Sequence, residues 1–138
     1  MLSVRPESRL AVAGADFRWA ARELLQLQRE RNRFFAPLNV AGPAWDLMLV
    51  LFAVSDDPEG LYLGEVAKRG AIPRTTALRW LRRLRRHGYV TLDTDQADRR
   101  AVLVNLTQAG EEAMQASFAA ASSSPEPRGP IGRPLFAC

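Results

Sequence analysis

Cysteine and histidine are nearly missing from this chain. There is one cysteine, Cys138, at the last position, and one histidine, His87. A lone thiol cannot close an internal disulfide, and neither a Cys-based nor a multi-His metal site can be assembled. No metal and no cofactor are therefore expected. Long apolar runs are missing too. The longest, Leu47 to Val54, has 8 residues, whereas a bilayer span needs roughly 20. The first ten residues, MLSVRPESRL, carry charges where a secretory signal would carry an apolar stretch. Together these absences predict a cytoplasmic setting with no membrane partner. No nucleophile–base pair, phosphate-binding glycine loop or paired-carboxylate pattern occurs, so the chain is read as a non-enzyme.

One further absence is local. Between Val66 and Leu92 there is no Asp or Glu, while Lys68, Arg69, Arg74, Arg79, Arg82, Arg83, Arg85 and Arg86 all fall there. The chain has 19 basic and 15 acidic residues, and without these eight cations 11 would face 15. A mildly acidic body thus carries one concentrated positive segment, which draws polyanions to a single face. Surface helices normally interleave signs, so a merely solvated face is the poorer explanation.

Enough apolar residue is present, 47%, to build one core in 138 residues. Residues 1–14 lack periodicity and read as a flexible N-terminal tail. From Asp16, Phe17, Ala20, Ala21, Leu24, Leu27, Gln28, Arg31 and Phe35 recur at helical spacing, predicting an amphipathic helix with Phe17 and Leu24 on its apolar side. It should stop before Pro37. Pro43 suits the first turn of a second helix, Ala44 to about Val54, apolar nearly all round and hence central to the core. A short helix over Tyr62–Lys68 follows, with Gly70 expected as a left-handed cap. Pro73 opens a helix with Ala77, Leu78, Leu81 and Leu84 as its apolar set, closed by Gly88. Tyr89–Asp93 and Arg100–Leu106 predict a β-hairpin with a polar tip. Thr107 can cap a last helix to about Ala121. Residues 122–138, SSSPEPRGPIGRPLFAC after Ala121, read as a Pro/Gly-rich flexible tail.

A short helix, a turn, a second helix and a hairpin form a winged helix-turn-helix, mainly α with a small β wing. Its second helix can offer N-terminal residues to base edges in the major groove. Here Arg74, Thr75, Thr76 and Arg79 are the base-reading candidates. Lys68, Arg69, Arg82, Arg83, Arg85 and Arg86 are the candidates for backbone phosphates, which set affinity and register. On the wing, 94–100, Asp98 is followed by Arg99 and Arg100, and an arginine on such a tip can enter a narrow minor groove. Trp45 is expected in the core and Trp80 in core or rim packing, while His87 at a helix end serves as a cap or phosphate neighbour.

These residues resemble the MarR-type winged-helix transcriptional regulators. The resemblance rests on PAWDLMLVLF at 43–52, TTALRWLRRLRRHGYV at 75–90 and DRRAVLVNLTQAG at 98–110, in that order and spacing. It implies a homodimer on double-stranded, pseudo-palindromic operator DNA, usually repressing transcription, with Thr75, Thr76 and Arg79 facing bases. It implies Asp98 ordering the wing and Arg99 or Arg100 at the minor groove. The domain then spans 15–121, flanked by dimerisation helices at 15–36 and 107–121. Family members usually end in one or two long helices; here about one precedes the tail. By the same resemblance a small aromatic effector is expected, in a pocket near Phe17, Trp19, Trp45 and Phe52. The alternative reading is a winged-helix protein-interaction module without a specific DNA site, since fold alone does not decide function.

Overall fold

A computed structural model describes residues 16–98 and 101–122. The expectations for the two tails, and for Arg99 and Arg100, lie outside these residues. The described chain forms α1 (Arg18–Phe35), α2 (Pro43–Ala53), β1 (Leu61–Tyr62), α3 (Leu63–Arg69), α4 (Arg74–Arg86), β2 (Val90–Thr94), β3 (Val102–Leu106) and α5 (Gln108–Ser122). The three strands form one antiparallel sheet in the order β1-β3-β2. Val90 pairs with Leu106 and Thr94 with Val102, so the expected hairpin forms, its strands starting one and two residues later than the sequence predicts. β1 was not legible, because two residues cannot show a period of two. It pairs Leu61 with Val104 and Tyr62 with Leu103 and anchors the start of α3 to the wing.

The core follows the expected apolar sets. In α2, Ala44, Leu47, Met48 and Leu51 are buried, and Pro43 takes the first turn, where a missing N–H costs nothing. In α4 the buried edge is Ala77, Leu81 and Leu84. Leu63, Val66, Val90, Val104 and Met114 close the space between them.

Two expectations are corrected. Phe17 and Leu24 do not lie on the buried side of α1: each is 53% exposed. The buried stripe is Trp19, Glu23, Leu27, Arg31 and Phe35. Its first members pack along α5, the most extensive helix pair in the described fold. The stripe includes two charged residues, and the opposite side carries its own apolar set. Periodicity alone therefore ranked the wrong face first. Second, Gly70 is not left-handed: its φ is −81°, and the positive φ falls on Ala71 at 54°. A methyl on Gly70 would meet Ile72 Cδ1 at 3.1 Å, so packing also acts on this glycine. Gly88, in contrast, closes α4 with φ 82° as expected.

Beyond Gly88 the chain makes a tight junction. The Thr107 hydroxyl donates to the Gly88 carbonyl and accepts from Gly110 N–H at 3.1 Å, capping α5. Thr107 N–H donates to the Tyr89 carbonyl at 3.0 Å. A Cβ on Gly110 would sit 2.2 Å from that same oxygen. Gly110→Ala should therefore destabilise the fold by on the order of 2 kcal/mol or more. Gly64→Ala, in helix α3 with open space around it, should be neutral or stabilising by up to about 1 kcal/mol. Thermal unfolding of the two variants side by side checks the contrast.

Candidate nucleic-acid interface

Helix α4 separates its residues by face. With 3.6 residues per turn, Ala77, Leu81 and Leu84 share the buried edge. Thr75, Arg79 and Arg86, at i, i+4 and i+11, share the outward stripe, and all three are exposed. Arg74, Arg82 and Arg85, with half-buried Leu78, lie on the flank toward the wing, where they line one cleft with Leu92 and Thr94. Thr76, Trp80 and Arg83 occupy the other flank. There the Arg83 guanidinium lies over the Trp80 ring, 4.9 Å from its centroid. Trp80 packs against the core rim, as the sequence indicated. Arg74 was grouped by sequence with Thr75, Thr76 and Arg79; in space it stands with Arg82 and Arg85.

Most of the cations of α4 are unpaired: among the described residues Arg79, Arg82, Arg83, Arg85 and Arg86 make no ion pair. Arg69 differs: its Nε donates to Glu65 Oε1 at 3.0 Å, one turn back on α3. Lys68 is exposed beside it. His87 closes α4: its Nδ1 lies 3.0 Å from the Arg83 carbonyl oxygen, so the ring N–H caps the helix. At the wing turn Ala101 N–H donates to the Asp98 carbonyl at 3.0 Å and Asp95 N–H to the Ala101 carbonyl at 2.9 Å. The Asp98 carbonyl is thus one of the acceptors within the turn.

The residues expected around an effector are only partly brought together. A cleft of about 380 Å³ opens beside Trp45, lined by Ala21, Leu24, Leu25, Leu27, Gln28 and Arg31. Phe17, at the N-cap of α1, and Trp19 do not line it. Phe52 is engaged elsewhere, stacked on Phe118 of α5 at 5.6 Å, while Trp45 stacks on Phe118 at 6.5 Å. Sequence reading missed Arg31 as a site residue. It is 6% exposed, lies 5.3 Å over the Trp45 ring, and donates to Asn32 Oδ1. Burial lowers its pKa from the ordinary arginine value. The available signal was a cation in helical phase with Leu27 and Phe35.

Residues 47–110 match the family of winged helix DNA-binding domains, from α2 through the cationic helix and wing into α5. The chain has the winged-helix fold. Solved structures share the winged helix together with its flanking helices. The MepR–DNA complex of S. aureus is 23% identical, with a TM-score of 0.59 over 75% of this chain and 80% of that one. Disulfide-formed AbfR is 20% identical, with a TM-score of 0.59 over 87% and 76%. NadR in complex with 4-hydroxyphenylacetate is 18% identical, with a TM-score of 0.59 over 88% and 79%. No curated protein matches the chain in sequence. Among the described residues no helix of the winged-helix chain is long and apolar enough to cross a membrane.

The ion pairing of Arg69 yields a test of the interface. Arg86→Ala should weaken duplex binding more than Arg69→Ala, because Arg69 must give up Glu65 before it can serve a phosphate. Equilibrium binding to one duplex at fixed salt compares the two, and equal losses would remove Glu65 from the account.

Proposed function

We propose that the protein is a homodimeric, sequence-specific regulator of transcription of the MarR type that represses by occupying its operator. The observation that carries this reading is the outward stripe Thr75–Arg79–Arg86 on a helix whose opposite edge is core. A helix so mounted can lie in the major groove while its cations remain uncompensated until phosphates arrive. The structures similar in fold include MepR and overoxidised AbfR, each bound to DNA. Dimerisation is supported by α1. Phe17, Leu24 and Leu25 are each at least half exposed, on the side away from α5. No cysteine lies between residues 16 and 122, so oxidation of a thiol within the folded domain is not the trigger.

Selection of bound duplexes from a random pool tests both halves of the proposal. A two-fold symmetric motif is expected, with Arg79→Ala losing about 1–3 kcal/mol and relaxing preference at one position per half-site. A pool that yields no motif, with binding only at low salt, would favour a protein-interaction module instead.

The proposed effector is a small aromatic acid in the Trp45 cleft. Leu24, Leu25 and Leu27 offer apolar wall, and Arg31 is a buried cation without a carboxylate partner among the described residues. NadR, similar in fold, holds 4-hydroxyphenylacetate. That acid and benzoate should each raise the melting temperature, by the equivalent of about 2.7 kcal/mol at a hundredfold excess over Kd. Arg31→Met should abolish the rise. No response of the wild-type chain would end the effector reading.

A further inference from the structure

The cleft between α4 and the wing has features that general basicity does not explain. Its volume is about 250 Å³, well above the roughly 30 Å³ of one water. Arg74, Arg82 and Arg85 converge on it from the helix, and Thr94 faces them from β2. Leu63 and Leu92 lie between these polar groups as an apolar floor. Strand alternation sends Leu92 and Thr94 toward the helix and Asp93 and Asp95 to the other side of the sheet. Those two residues line a neighbouring hollow with Tyr62, and Thr94 borders both hollows. No acidic residue lines the arginine cleft, and Arg82 and Arg85 make no ion pair among the described residues.

The Arg82 and Arg85 guanidiniums on this hollow repel one another, and the planar forks of the arginines that line it match phosphate oxygens in paired hydrogen bonds. A base edge is a poor occupant. It offers one or two acceptors and no charge, and the cleft is set back from the outward stripe. We infer that this cleft is a phosphate seat, in which Arg74, Arg82 and Arg85 with the Thr94 hydroxyl hold one oxyanion between helix and wing. Arg74 is then a positioning residue and not a base reader. A backbone phosphate so held spans α4 and the wing, and it fixes the register in which Arg79 meets a base. The inference rests on the DNA-binding reading for its main source of phosphate. A free phosphate or pyrophosphate presents the same chemistry.

The experiment has two arms, both on the full chain. In the first, binding to the selected duplex and to a random duplex is followed across a salt series. Arg74→Ala, Arg82→Ala and Arg85→Ala should each lower affinity about tenfold on both duplexes. Each should also flatten the salt dependence by about one counterion. Arg79→Ala serves as the contrast, losing preference at a base. Replacing single phosphates with methylphosphonate should reveal one position per half-site at which the Arg82→Ala loss disappears. In the second arm sodium pyrophosphate is added without DNA, against sodium chloride of equal ionic strength. A rise in melting temperature that Arg82→Ala and Arg85→Ala remove supports the seat with a free anion in it.

A phosphonate position without a pyrophosphate effect supports the seat with DNA as its source. Silence in both arms overturns the inference, as does a changed base preference in Arg74→Ala. A failure to select any duplex would count against the regulator reading and leaves the pyrophosphate arm to decide the seat.

Discussion

The burial of Ala77, Leu81 and Leu84 against the core holds α4 together against its own charge. Along that helix Arg79, Arg82, Arg83, Arg85 and Arg86 stand three or four residues apart in several like-charge pairs. Each such pair costs a few tenths of a kcal/mol, roughly 1–3 kcal/mol in all. Full burial of Leu81 and Leu84, both at 0% exposure, is worth about 1.5–3 kcal/mol apiece. Packing therefore exceeds repulsion, and the helix persists with its cations unneutralised. That residual repulsion is what a polyanion relieves, so the same array that weakens the free helix strengthens the complex.

The charged helix must also be aimed, and the junction after it does so. Gly88 ends α4 in the left-handed region and Tyr89 leads directly into β2. Thr107 ties the Gly88 and Tyr89 carbonyls to the first turn of α5, which approaches so closely that residue 110 has no room for a side chain. The Tyr89 ring meets Phe35 edge-on at 4.9 Å, at the end of α1. Phe35 in turn meets Trp45, which stacks with Phe118 on α5. The junction that ends the cationic helix is thus in packing contact with both flanking helices. The proposed effector cleft shares Trp45 with this aromatic chain, and Arg31 lies over the same ring.

Much of this was legible in the order of residues. Pro43, Pro73 and Gly88 mark helix ends through backbone chemistry that no tertiary contact needs to supply. The alternation in Val102–Leu106 announced a strand. The acid-free run marked the cationic helix, because charge repulsion depends on composition along a helix and survives any detail of packing. Phe17 and Leu24 were placed inside because α1 has two apolar sides, and only α5 decides which is covered. Gly70 was expected to be left-handed from its position after a helix, yet Ala71 carries that conformation.

Sequence by itself determined the winged-helix order of elements and the position of the cationic helix, since each follows from local periodicity or turn residues. Tertiary structure alone decided which face of each helix is used. It set Arg74 beside Arg82 and Arg85 across from Thr94, buried Arg31 on Trp45, and left Leu24 and Leu25 exposed. The physical reason is that helical phase fixes which residues share a side, whereas the neighbour that covers a side comes from tens of residues away. A charge array is written along the chain; its division into stripe, flank and cleft exists only once the wing has folded against it.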